Sequence, residues 1–106
     1  MAFTIDNGQA NPNSFVAPRQ VQLTFDGQTT DGTTSNVTVT YSAPDFPDLQ
    51  LNGQPQVQTQ KTLTPVNTTV AHTVTVSGMP GLRNVIMTVT DNTGFSDQVA
   101  AVVHLQ

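Results

Sequence analysis

The chain has 106 residues, 36% of them hydrophobic and 9% charged, with a formal net charge of −4 at pH 7. It contains no cysteine, which excludes disulfides, thiol catalysis and thiolate metal centres. The cations Arg19, Lys61 and Arg83 are scattered, and because phosphate neutralisation needs clustered Lys and Arg, no nucleic-acid partner is expected.

Every acid is an Asp, and Glu is absent. Glu favours helices whereas Asp favours turns and caps, so an all-β chain with no substantial helix is expected. A chain of this length holds one core without staples, and residues 1–106 read as a single domain. No run approaches the roughly 20 apolar residues of a membrane span, so no membrane insertion is expected. Met1 to Asp6 has neither a basic start nor a long apolar run, so no signal peptide is expected in this chain.

Taken in order, Ala2–Asp6 reads as a short strand with Phe3 and Ile5 on one face. Asn7-Gly8 and Asn11-Pro12-Asn13 read as a loop. In Gln20–Phe25, Val21, Leu23 and Phe25 alternate inward against Gln20, Gln22 and Thr24. Asp26–Ser35 is a polar Gly/Thr/Asp loop of the kind that links two sheets. Asn36–Tyr41 sends Val37, Val39 and Tyr41 one way and Thr38 and Thr40 the other. The Pro-rich stretch Ala43–Asp48 excludes a central strand. Leu49–Leu51 reads as a short strand closed by Asn52-Gly53, a tight-turn dipeptide. Gln56–Leu63 places Gln56, Gln58 and Gln60 on its polar face and reads as an edge strand, with Lys61 guarding the edge. Three strong alternations follow, around Val70–Val76, Val85–Asp91 and Val99–Leu105, broken at Gly78–Gly81 and Asp91–Gly94. Seven or eight antiparallel strands at this spacing predict a Greek-key β-sandwich.

The stretch from Val74 to Gly81 leading into Ile86–Gly94 reads V-T-V-S-G-M-P-G and then I-M-T-V-T-D-N-T-G. It resembles the end of a bacterial immunoglobulin-like or PKD-like repeat. The resemblance covers about the last 35 residues and implies an immunoglobulin-like fold. It further implies a spacer, stalk or binding module on a cell or virion surface, with no enzymatic role. The chain departs from that pattern in lacking any Trp, and hence the W-D-F-G-D-G signature. It also has Leu82, Arg83 and Asn84 where a tyrosine corner would stand.

Candidate ligand positions cluster in two loops that such a sandwich puts at one end. They are Asp26, Asp31, Asp91, Asn92, Phe95 and Asp97. Oxygen ligands drawn from several loops suit Ca²⁺, but no D-x-D-x-D-G run is present, and turn capping explains the same residues. Phe95 either anchors a ligand or folds back over the core; with so few charges to offset an exposed ring, the second is favoured. Phe46 is the other aromatic in a loop. His72 shares a face with Val70, Val74 and Val76 and is expected half-buried, whereas His104 points with Val102. Two histidines without Cys or a convergent acid make no zinc or copper motif, so no metal or other cofactor is assigned. Ser42, Ser77 and Ser96 lie in turn contexts outside any G-x-S-x-G elbow, and no catalytic residue is assigned. The chain is therefore expected to be no enzyme. The expected role is a non-catalytic structural or adhesive module of a bacterial surface or phage virion assembly, meeting a protein partner or neighbouring domains. A carbohydrate- or calcium-binding sandwich is the alternative. Missing Trp and the few exposed aromatics weigh against sugar.

Overall fold

In a computed structural model, which describes residues 2–106, the chain is all β, with no helix and two facing sheets. Residue 1, part of the single-domain and leader readings, lies outside the described residues. The strands are β1 (Phe3–Asn11), β2 (Ser14–Phe15), β3 (Arg19–Thr29), β4 (Ser35–Ser42), β5 (Gln50–Leu51), β6 (Gln56–Leu63), β7 (Thr68–Ser77), β8 (Gly81–Asp91) and β9 (Ser96–Leu105). One sheet has the order β1-β3-β7-β5 and the other β2-β9-β8-β4-β6.

The expected strands around Val21, Val37, Val57, Val74, Val89 and Val103 are all present, and β6 has its expected bounds. Several expectations need correcting. The strand count among the described residues is nine rather than seven or eight, and the pairing is not wholly antiparallel, because β2 runs parallel to β9. The two residues of β2 are too few to show alternation. The Asn7-Gly8 loop is instead a bulge inside β1: pairing with β3 shifts between Asp6 and Gln9, and Asn7 takes a left-handed φ of 62°. Gly8 is required there because a Cβ would sit 2.2 Å from the carbonyl oxygen of Ala100, on β9 of the other sheet. The two sheets thus curl together along this side.

On the other side, β6 is an edge strand, bonded only to β4. Its Lys61 turns inward and donates to the carbonyl of Ala71 on β7 at 2.9 Å, bridging the sheets. An inward charge on an edge strand discourages a further strand from adding there. Asn52-Gly53 makes the expected two-residue turn, with both residues at positive φ, and Asn52 docks it on Thr75 of β7.

Between the sheets lies one apolar layer. Val21, Leu23 and Phe25 of β3 and Val74 and Val76 of β7 face Val37, Val39 and Tyr41 of β4, Val85, Met87 and Val89 of β8, and Ala101 and Val103 of β9. All are buried; Val99, expected with them, is only partly so. Leu23→Ala should destabilise the fold by about 2–5 kcal/mol, whereas exposed Gln22→Ala should change stability by no more than about 0.5 kcal/mol. Urea unfolding of the two variants checks this, and equal effects would place the register one residue out.

Candidate functional site

The β3–β4 and β8–β9 turns lie at one end of the sandwich, as Val37, near the start of β4, pairs with Asp91 at the end of β8. The Asp residues there do not converge. Asp26 lies within β3, on the outer face of its sheet, where its two oxygens accept from Asn7 Nδ2 at 3.0 Å and Thr69 Oγ1 at 2.7 Å. Asp31 caps its own turn, accepting from the backbone N–H and hydroxyl of Thr33 at 3.1 and 2.7 Å. Asp91 is buried and does the same for the other turn. Its Oδ1 accepts from the N–H of Thr93 at 2.9 Å, the hydroxyl of Thr93 at 2.7 Å and the N–H of Phe95 at 3.0 Å. Asp97 accepts from the N–H of Gln98, and Asn92 is exposed. Among the described residues no three Asp or His side chains gather as a metal would need. The ligand set proposed for Ca²⁺ is therefore spread over an outer sheet face and two separately capped turns.

Phe95 is partly buried and meets Phe3 of the opposite sheet edge-to-face, with ring centroids 4.8 Å apart. It closes this end of the core. Phe46 is likewise partly buried and packs on the core, with its ring 5.0 Å from the guanidinium carbon of Arg83.

That guanidinium organises the opposite end. Arg83 falls in the inward phase of β8, two residues before Val85, and is 8% exposed. Its Nη1 donates to Asp48 Oδ1 at 2.6 Å and its Nη2 to the Met79 carbonyl at 2.8 Å. The other Asp48 oxygen accepts from the N–H of Met79 at 2.9 Å. One ion pair thereby ties the Pro-rich crossover to the β7–β8 turn. The Arg83 hydrogen bond holds the Asp48 carboxyl below the usual carboxylate range, with the Met79 N–H adding to it.

His72 is half-buried as expected and stacks on Tyr41 across the sheets, ring centroids 5.3 Å apart. Burial lowers its pKa, and the nearby Lys61 charge adds to that. Burial also pushes the Tyr41 phenol up to about 12, so it stays neutral. No His–Ser–Asp or paired-carboxylate arrangement emerges from these contacts. One open depression, of about 620 Å³, lies on the outer face of the β1-β3-β7-β5 sheet between Pro12, Arg19, Gln22 and Thr73. Another, of about 410 Å³, is floored by Thr38, Thr40, Gln58 and Gln60 on the other sheet.

No protein-family model matches the chain, and no curated protein does. Among solved structures, the fold is similar to part of the Pseudomonas fluorescens alkylpurine DNA glycosylase AlkC bound to DNA containing an abasic site analog. The match has a TM-score of 0.57 at 12% identity, covering 94% of this chain and 30% of that one. At that identity the likeness is one of fold, and this chain spans under a third of the glycosylase's length. It overturns two expectations drawn from the sequence, that the chain is no enzyme and that it meets no nucleic acid. A unit of this fold forms part of a DNA-bound enzyme, so neither a missing motif nor acidic charge excludes such a setting.

The site chemistry fixes a pH dependence. Hydrogen bonds hold Asp26, Asp31, Asp48 and Asp91 below their ordinary 3.8, and His72 lies below its ordinary 6.5. In each pH window between folded and ordinary values the unfolded chain binds more protons, so acid favours unfolding. The melting temperature should fall in two steps, the first as pH drops below about 6.5 and the second below about 3.8. His72→Gln should remove the first step and Asp48→Asn should shrink the second. A melting temperature that rises as pH falls from neutral would contradict this.

Proposed function

We propose that the chain is an immunoglobulin-like Greek-key module with a structural or adhesive role, joining a larger assembly through a protein contact. The strand order supports the fold reading. β1, β3 and β7 form one sheet, and β4, β8 and β9 the other, as strands A, B, E and C, F, G do in an immunoglobulin sandwich. The two-residue β5, bonded to β7 ahead of β6 in sequence, is the departure from that plan.

The observation that carries the role is the outer face of the β2-β9-β8-β4-β6 sheet. Leu82 and Val102 stand 67% and 54% exposed on it, beside a field of Thr and Gln side chains. Exposed apolar groups gathered on one rigid sheet face are the usual mark of a protein contact. The fold's use as 30% of a longer chain fits a module built into something larger. A cell or virion surface is the setting this reading favours, from the neutral, Thr-rich strands of the sequence.

A second reading has one observation behind it, the likeness to a DNA-bound glycosylase. Here the module would lie against DNA, and the depression beside Arg19, the exposed cation among the described residues, is where it would do so.

A photo-crosslinking residue placed at Val102, or at Gln22 on the other sheet, separates the two in the cell or particle that makes the protein. The module reading expects a protein adduct from Val102 and none from Gln22. A nucleic-acid adduct from Gln22 would replace it with the second reading, and no adduct from either position would sink both.

A further inference from the structure

The two sides of the sandwich are closed differently. Along β1 and β9 the sheets curl together at Gly8 and Ala100. Along β6 and β7 they stand apart. There the inward-pointing Val57, Thr59 and Lys61 of β6 and His72 of β7 are only half-buried, whereas Val21, Val39 and Val89 on the central strands are buried. The edge of β7 is open on this side because β5 covers it only at Val76 and Ser77. The turn after β5 adds Asn52, whose N–H donates to the Thr75 carbonyl and whose Oδ1 accepts from the Thr75 N–H. Lateral groups alternate along a strand, so Thr73, Ala71 and Thr69 aim their N–H and C=O the same way as Thr75. Among the described residues, the one partner these groups have is the Lys61 ammonium, 2.9 Å from the Ala71 carbonyl.

What fits this edge follows from its chemistry. N–H and C=O groups alternating along an extended backbone are complementary to another extended backbone. From Thr69 to Thr73 the free stretch spans about 17 Å at ~3.4 Å per residue, the length of a short peptide strand. Lys61 sets a second requirement. Its ammonium lies where the N–H of an added strand must go. The one ion pair among the described residues is Arg83 with Asp48, so no carboxylate of this chain holds Lys61. A neutral strand would displace the ammonium from Ala71 and cover it unpaired, which is strongly unfavourable. In an added strand the residue opposite Ala71 points outward with it, and the neighbours on either side point inward, over the half-buried trough toward β6. An Asp or Glu at one of those inward positions meets the displaced ammonium in a charge-assisted bond. Lys61 is then a gate that rejects neutral and basic strands and admits an acidic one.

We propose that the β7 edge from Thr69 to Thr73 binds an extended peptide bearing an aspartate or glutamate, which joins the β1-β3-β7-β5 sheet as a further strand in line with β5 and places its carboxylate on Lys61. This contact is separate from the sheet-face contact around Val102, and either stands without the other.

Panning a phage-displayed library of random linear peptides on the full chain tests it, with the most enriched peptide synthesised and its binding followed by amide hydrogen exchange. Enriched sequences should alternate β-branched residues around an Asp or Glu, and the bound peptide should slow exchange at Thr69, Ala71 and Thr73. Thr73→Pro removes an N–H that no strand of the chain uses and puts a ring in the path of the added one, so it should abolish binding while melting as the parent does. Lys61→Glu should weaken binding of the acidic peptide by about tenfold or more and turn a repeated selection toward Lys and Arg. Circular dichroism melts check that both variants fold, and the proline variant keeps the test decisive if the charge swap does not. No enriched sequence, enrichment without an acid, or binding by the folded Lys61→Glu or Thr73→Pro chain equal to the parent's overturns the proposal. Protection on β8 and β9 instead of β7 would assign the peptide to the sheet face, overturning the edge site and leaving the module reading standing.

Discussion

The two sheets meet through a single layer of side chains, and this constraint governs the rest of the molecule. Each strand commits alternate residues to that layer and the others to water, so β3, β4 and β8 are mainly apolar on one side and mainly polar on the other. Few charged residues take the outward role. Asp6 and Asp26 do, side by side on β1 and β3; the others lie in turns and at strand ends or turn inward onto partners. The Thr- and Gln-rich outer face of β4 and β6 is a consequence of that sorting combined with a composition poor in charge.

Where the inward phase carries a polar residue, the structure resolves it at a boundary of the core. Arg83 lies at one end, gripping Asp48 and the Met79 carbonyl; Asp91 lies at the other, capping the β8–β9 turn. Lys61 lies along the open side and reaches the Ala71 carbonyl of the facing sheet. Each is where a long side chain or a turn can satisfy the group, since an unpaired charge inside the layer would be strongly destabilising. Among the described residues, Tyr41 Oη and Thr29 Oγ1 escape this pattern, buried without a hydrogen-bond partner. An unmade hydrogen bond of that kind lowers stability by about 1–3 kcal/mol.

The long strands were legible because alternation is local: Val37-Thr38-Val39-Thr40-Tyr41 declares its two faces without reference to any other strand. The bulge at Asn7-Gly8 was not. Asn-Gly is the same signal whether the chain turns back or only kinks, and the approach of Ala100 that decides the matter comes from 92 residues further along. Asp26, Asp31 and Asp91 fall in two loops expected at one end of the sandwich, but each is used by hydrogen bonds to its own turn or to neighbouring strands, contacts that composition does not announce. Arg83 was legible in part, since it shares a phase with Val85 and Met87. Its partner Asp48 lies across a Pro-rich crossover that no periodicity describes.

The proposed function follows from the same layer: a sandwich whose inner faces are sealed by Phe95, Arg83 and Lys61 holds its outer faces rigid for contact. The inter-sheet register is therefore the central claim, and aromatic nuclear Overhauser measurements on the chain in solution test it most directly. The rings of Phe3 and Phe95, and those of Tyr41 and His72, each join opposite sheets at centroid distances of 4.8 and 5.3 Å. Strong cross-peaks within both pairs are predicted. Their absence, with the within-sheet contact between Val39 and Val89 still present, would mean that the sheets form but do not face each other in this register.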